Sequence, residues 1–247
     1  MKLTLSEPKY LKDSISIIAD LVTETRIKIT QNAIEMVAYD PANVAMVVFK
    51  MLSSSFSEFK VDEEVEIGIN LTNFKQFLRR AKTTDVLTLE LEESKIKIVL
   101  RGNTTRTFYL PTIDLEEKQQ RVPDLSFPVT ITMDTGMLTE AIEDADVVAE
   151  AVVFEQEGDR FVISAEGDLS KARIEAKEGD DCKIKSDIDG KVRAKYSVEY
   201  LKKMVAGGKL ADNAKINFNA DYPLKMEFTT VDKLSLSFIL APRVEQD

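Results

Sequence analysis

Between positions 65 and 82 the apolar residues first alternate with polar ones and then fall at helical spacing. Val65, Ile67 and Ile69 predict a short strand, and Asn70 is suited to cap a helix. Leu71, Phe74, Phe77 and Leu78 predict the inner face of that helix, with Lys75, Arg79 and Arg80 on its outer arc. The same order returns 127 residues later. Val192, Ala194 and Tyr196 alternate, Ser197 takes the cap position, and Val198, Leu201, Met204 and Val205 form the inner helical face opposite Lys202 and Lys203. Each copy leaves through a predicted strand pair, 86–91 with 95–100 and 215–218 with 224–229. Leu11 and Ile15 map onto Leu138 and Ile142, and Ile34, Met36 and Ala38 onto Phe161, Ile163 and Ala165. A repeat that spans a whole half of the chain predicts one fold made twice.

The remaining pattern fills in both copies. A strand over 2–5 is followed by a helix over 8–22, with Pro8 in its first turn, Leu11, Ile15, Ile18 and Val22 inside, and Lys9, Lys12, Ser16 and Asp20 outside. Strands are predicted over 26–30, 34–38, 44–52, 59–61 and 105–110. In the second copy a strand over 129–133, a helix over 135–146 and strands over 152–156, 160–165 and 172–177 repeat that order. From 113 to 128 the pattern lapses into a polar stretch with two prolines, which predicts a surface linker. The class is therefore α+β with antiparallel sheets: a domain over 1–112, a linker over 113–127 and a second domain over 128–247.

Composition narrows the chemistry. The 247 residues are 44% hydrophobic and 31% charged, ordinary for a globular chain. No apolar run approaches the roughly 18 residues of a membrane span, and the N-terminus lacks a signal-peptide pattern. Cys182 is the only cysteine, which fits a reducing compartment and a cytoplasmic location. Histidine is absent, removing the usual neutral-pH base and metal ligand. A carboxylate hydrolase using Asp144 with Asp146, or Asp180 with Asp181, is the enzymatic alternative. No phosphate-cradling glycine loop or other group converges on either pair, so no enzyme activity and no cofactor are expected. The turn at 178–181 lacks the alternating ligand spacing of a calcium loop, and no metal site is expected. The net charge of −10 argues against nucleic acid, yet 75–82 holds Lys75, Arg79, Arg80 and Lys82 without an acid.

Four segments then point to a family: Asp40-Pro41-Ala42-Asn43-Val44-Ala45-Met46-Val47, Gly68-Ile69-Asn70-Leu71, Leu110-Pro111-Thr112-Ile113-Asp114 and Leu240-Ala241-Pro242-Arg243-Val244-Glu245. In this order around a duplication, the chain resembles DNA sliding clamps of the archaeal-type proliferating cell nuclear antigen family. The resemblance implies a ring of three subunits around duplex DNA, with two helices per domain lining the hole and the sheets outside. It implies sequence-independent DNA contact, tethering of DNA polymerase, opening by a clamp loader, and docking of replication and repair proteins through a short peptide. A ring assembled only with unlike sister chains is the alternative form.

By the same resemblance Lys12, Lys75, Gln76, Arg79, Arg80, Lys202 and Lys203 match DNA-facing positions. Phosphate contacts from such side chains orient a protein on DNA without reading its sequence. The partner-peptide pocket maps to Tyr39, Val44, Val122, Leu125, Pro223, Ile239, Leu240, Ala241 and Pro242. The subunit interface maps to Thr105, Arg106, Phe108 and Leu110 on one strand and to Arg173, Glu175 and Lys177 on another. The third helix is acidic; Glu140 and Asp144, four apart on one flank, are expected to pair with Arg80, Lys82 and Arg106 of a neighbour, while Glu143 falls where some relatives are basic.

Overall fold

The computed structural model describes residues 1–115 and 120–244. The first half runs β1 (Lys2–Leu5), α1 (Lys9–Ile18), β2 (Glu24–Ile29), β3 (Ala33–Tyr39), β4 (Ala45–Leu52), β5 (Glu58–Lys60), β6 (Val65–Asn70), α2 (Leu71–Leu78), β7 (Val86–Glu92), β8 (Lys95–Arg101) and β9 (Thr105–Pro111). The second runs β10 (Val129–Asp134), α3 (Thr135–Asp146), β11 (Ala151–Glu157), β12 (Arg160–Glu166), β13 (Lys171–Lys177), β14 (Cys182–Ser186), β15 (Val192–Ser197), α4 (Val198–Val205), β16 (Asn213–Phe218), β17 (Leu224–Thr230) and β18 (Leu234–Leu240). Moved along by 127 residues, β3, β6 and α2 fall on β12, β15 and α4 residue for residue.

Contacts divide the chain into two units. One holds Met1–Val122 with Thr230–Leu236, the other Pro123–Thr229 with the residues from Ser237 on. In the first, strands are ordered β5-β1-β7-β8-β9 and β4-β3-β2-β6; in the second the matching orders are β14-β10-β16-β17-β18 and β13-β12-β11-β15. Every pairing given in register is antiparallel, for example Ile98 opposite Phe108 and Ile163 opposite Ile174. Inward positions of the alternating strands and the inner stripes of the helices make each core. Leu3, Leu11, Ile15, Phe74, Leu89 and Ile98 are buried in the first unit. In the second, the Phe154 ring meets Phe161 at 5.4 Å, Tyr196 at 5.5 Å and Phe218 at 6.3 Å, joining strands of both its sheets.

Helix ends differ from expectation in instructive ways. Pro8 sits at the cap position rather than inside α1, and the helix closes at Ile18 in a turn where Leu21 donates to Ile18 O at 3.0 Å. Leu21 and Val22 are still buried, carried inward by that turn. Asn70 caps α2 by accepting from Asn73 N at 2.9 Å, whereas Ser197, at the matching place, makes no such bond. Two strands were not predicted. β14 is a five-residue element whose apolar content is Cys182 and Ile184 alone, and β18, LSLSFIL, alternates plainly.

On β5, Glu58 bridges Lys2 at 2.8 Å and Lys60 at 2.7 Å. These two hydrogen-bonded ammonium groups hold its pKa down at about 2, against an ordinary 4.5. Its contribution to stability is therefore whole above 4.5 and disappears as pH falls through about 2. A carbon-detected titration of the Glu58 carboxyl should find it still ionised at pH about 3.5; half-protonation there would mean that the lysines do not hold it.

Candidate duplex-facing and subunit interfaces

The end of α2 carries a cluster of exposed positive charge. Gln76, Arg79, Arg80 and Lys82 are exposed, while Phe74 and Leu78 anchor the helix below them. Among the described residues, no carboxylate pairs with the Arg79 or Arg80 side chain. The last turn tightens, with Arg80 N on Phe77 O at 3.0 Å and Ala81 N on Leu78 O at 3.0 Å. Two cations then claim the carbonyls left over: Arg106 Nη1 donates to Arg80 O at 2.9 Å and Lys12 Nζ to Ala81 O at 3.0 Å.

Several expected DNA-facing lysines thus have partners in their own unit. Lys12 reaches the end of α2. Lys75 returns the contact, donating to Ser16 O at 3.1 Å near the end of α1 and pairing with Asp20 at 2.6 Å. In the second unit Lys202, the repeat equivalent of Lys75, pairs with Asp146 at 2.6 Å, and Lys203 with Glu199 at 2.9 Å. Asp146 therefore has a local purpose on acidic α3. Glu140, Glu143 and Asp144 stand exposed on the same helix with no cation paired to them among the described residues.

Among the described residues β9 in the first unit and β13 in the second end their sheets with bare seven-residue edges, and the shorter β5 and β14 are bare as well. Thr112 N bonds Ser94 O at 2.8 Å on the β8 side, so by alternation the even-numbered residues of β9 bond β8. The backbone groups of Thr105, Thr107 and Tyr109 therefore point to the open edge, where Pro111 has no N–H to offer. Glu178 N on Asp159 O at 2.9 Å fixes β13 likewise, and Lys171, Arg173, Glu175 and Lys177 present the free groups. The edges of β6 and β15 are blunted: Ile113 N bonds Gly68 O on β6 at 2.9 Å, and Arg243 N bonds Lys195 O on β15 at 2.7 Å. Gly68 is required there, since a Cβ would lie 2.2 Å from Ile113 O.

Three expected interface residues of β9 turn into their own unit. Leu110 is 1% exposed and belongs to the core of its unit, because the inward phase of β9 runs through 106, 108 and 110. Phe108, on that phase, is half-buried and stacks on Phe77 at 5.2 Å. Arg106 is committed within its own unit to Asp85, a carboxylate 2% exposed that also accepts from Lys82 N at 2.8 Å. On β13, Arg173 and Glu175 bond one another at 3.1 Å.

Of the expected partner-pocket positions in the first unit, Tyr39 and Val44 are half-buried and Val122 is exposed. The buried Asp40 carboxylate accepts from Val44 N and Ala45 N, both at 2.7 Å, and holds the loop whose Asn43 takes a left-handed φ of 55°. Beside it opens a groove of about 530 Å³, lined by Val22, Arg26, Val37, Tyr39, Pro41 and Leu115. Arg26 is a residue that the sequence pattern did not single out. It lies mid-strand, and its guanidinium reaches the Leu115 carbonyl at the start of the linker. In the second unit Leu125, Pro223 and Pro242 are half-buried and Ala241 exposed. Ile239 is buried, and Leu240 is wholly so, standing behind the surface rather than on it. Glu245, from the last of the four sequence segments, lies outside the described residues.

A module made twice, with an arginine-bearing helix end in the first half, a lysine-bearing helix in the second and a long bare edge strand in each, is the build of a DNA sliding clamp. Residues 1–119 match the model for the N-terminal domain of proliferating cell nuclear antigen and residues 121–243 that for its C-terminal domain. The DNA polymerase sliding clamp of Nanoarchaeum equitans is 33% identical over 247 residues, covering 98% of this chain and 99% of the relative. That of Pyrococcus horikoshii is 35% identical over 227 residues, covering 92% and 91%. The crystal structure of proliferating cell nuclear antigen from Thermococcus kodakaraensis superposes with a TM-score of 0.91 at 26% identity, covering 98% of this chain and 99% of that one. The chain belongs to the proliferating cell nuclear antigen family of DNA sliding clamps.

Proposed function

We propose that three copies of this chain close into a ring around duplex DNA, tether DNA polymerase for processive synthesis and dock other replication and repair proteins. The observation that carries this reading is the pair of long bare edges, seven residues each. β9 and β13 both lie in this chain and each offers unpaired backbone groups, so copies joined head to tail would satisfy both. That favours self-assembly over a ring that needs unlike sisters. Thr105, Thr107 and Tyr109 of one copy would face Lys171, Arg173, Glu175 and Lys177 of the next. Glu140 and Asp144 would meet Lys82 across the same joint, with Arg106 supporting from behind and Arg80 left to face the duplex. Exposed ion pairs contribute only about 0–1 kcal/mol each, so they tune the joint and the hydrogen-bonded edges hold it.

The DNA contact is electrostatic and sequence-independent, carried on helix ends, while persistence comes from encirclement. An acidic surface elsewhere, reflected in the net charge of −10, limits adhesion to DNA outside the ring. The groove beside Tyr39 and the exposed Val122 suit a partner peptide that anchors apolar side chains. A clamp loader opens the ring, and the chain itself catalyses nothing. Among the described residues no helix is long and apolar enough to cross a membrane. As a clamp, the protein would work where the chromosomal DNA is, in the cytoplasm.

Retention on nicked circular DNA tests encirclement. Loaded clamp should stay through gel filtration on closed circles and be lost once the circles are cut. Equal retention on cut and uncut DNA would show ordinary surface binding instead.

A further inference from the structure

We infer that in the first unit Arg79 and Arg80 make the phosphate contacts, and that Lys12, Lys75 and Arg106 are positioning residues that hold the helix end presenting them. This assignment rests on the clamp reading above.

The reason lies in where each charge is spent. Lys12 on α1 donates to Ala81 O beyond the end of α2, and Lys75 on α2 donates to Ser16 O near the end of α1. The two helices thus exchange lysines, each ammonium lying where the unpaired carbonyls and negative end of the other helix favour a cation. Asp20 at 2.6 Å completes the neutralisation of Lys75, whose side chain is only 22% exposed. Moving Lys75 onto a phosphate would strand Asp20 and the Ser16 carbonyl together. Arg79 and Arg80 differ on every count: they are exposed, lie one turn past Lys75, and have no carboxylate paired to them among the described residues.

The backbone beneath them is fixed twice over. Arg80 O is held by Arg106 and Ala81 O by Lys12, so consecutive carbonyls of the arginine-bearing turn are pinned by cations from two different elements. Arg106 is itself held by Asp85. A contact that must exchange quickly between phosphates gains from such fixing, because a preset turn loses little freedom on each new contact. In the second unit Lys202 and Asp146 are both exposed and Lys203, half-buried, pairs with the exposed Glu199, so both pairs are weak. Those lysines remain free to trade carboxylate for phosphate.

The test measures binding of the assembled clamp to a short fluorescent duplex as salt is raised. Each phosphate contact removed should lower the slope of log affinity against log salt by about 0.9. Arg79→Ala with Arg80→Ala should lower it by at least that much. Lys75→Met should leave the slope as it is, with Lys75→Gln, which also removes the charge but keeps a donor for Ser16 O, as the substitute if the first variant does not fold. Lys12→Met should weaken binding in the otherwise native chain and change nothing further in the chain lacking both arginines, since it acts through them. The assignment is overturned if Lys75→Met flattens the slope as the arginine variant does, or if Lys12→Met subtracts further affinity in the arginine-free background. A native ring whose binding to duplex does not depend on salt overturns the clamp reading and this assignment with it.

Discussion

Thr107→Pro should convert the assembled clamp into single chains while leaving each chain folded. Thr107 lies at the centre of β9, and its N–H points to the open edge rather than toward β8. Proline there deletes a donor that no bond among the described residues uses, and edge strands are where proline is tolerated in sheets. Across a joint the loss is different. One hydrogen bond disappears and the facing carbonyl of β13 is left unpaired, together about 1–3 kcal/mol. A closed ring of three carries that cost at each joint, so the total is about 3–9 kcal/mol, enough to shift assembly by a factor of a hundred or more. Light scattering at micromolar concentration should report a mass near one chain, with the circular dichroism of the native protein. Phe108→Pro is the contrast: it breaks the β8–β9 ladder itself and should unfold part of the first unit. If Thr107→Pro still sizes as three chains, β9 is not the joint.

The duplication was legible because periodicity is local. The strand-then-helix pattern at 65–78 repeats 127 residues on without any knowledge of what it packs against, and α2 and α4 lie where it says. What remained hidden depended on reach and on phase. Lys12 and Lys75 sit on the outer arcs of their helices, as spacing requires, yet four methylenes let each curl onto a carbonyl of the other helix. No sequence rule places one helix end beside another. Leu110 and Leu240 show the matter of phase. Each sits in a segment that marks the family, yet the alternation of β9 and β18 turns both inward. Arg26 and Asp85 were invisible for a third reason: an isolated charge in a strand or a turn announces nothing until its partner arrives from far along the chain, Leu115 in one case and Arg106 in the other.

Asp85→Ala should be the most damaging single change to the first unit outside its apolar core. The Asp85 carboxylate is 2% exposed and accepts from Lys82 N at 2.8 Å and from the Arg106 guanidinium. Gly102 leaves room for it; a Cβ at that position would lie 2.2 Å from Asp85 Oδ1. Removing the carboxylate leaves the Arg106 side chain, 24% exposed, holding a charge without a counter-ion, and Arg106 Nε already lacks a partner among the described residues. Breaking a buried pair from one side costs about 3–5 kcal/mol, and the partial exposure of Arg106 brings the expectation down to about 2–4. For a domain of this size that is a fall in Tm of about 10 °C, readable by calorimetry. Asp85→Asn keeps an acceptor for the Lys82 N–H and should lose less. Because Arg106 also holds Arg80 O, the damage should extend to function: at a temperature where the variant is folded, its affinity for duplex DNA should fall although no group that touches DNA has changed. An Asp85→Ala chain that melts with the native one would mean that Arg106 draws its stability from elsewhere, and that the end of α2 is held by the Lys12 contact alone.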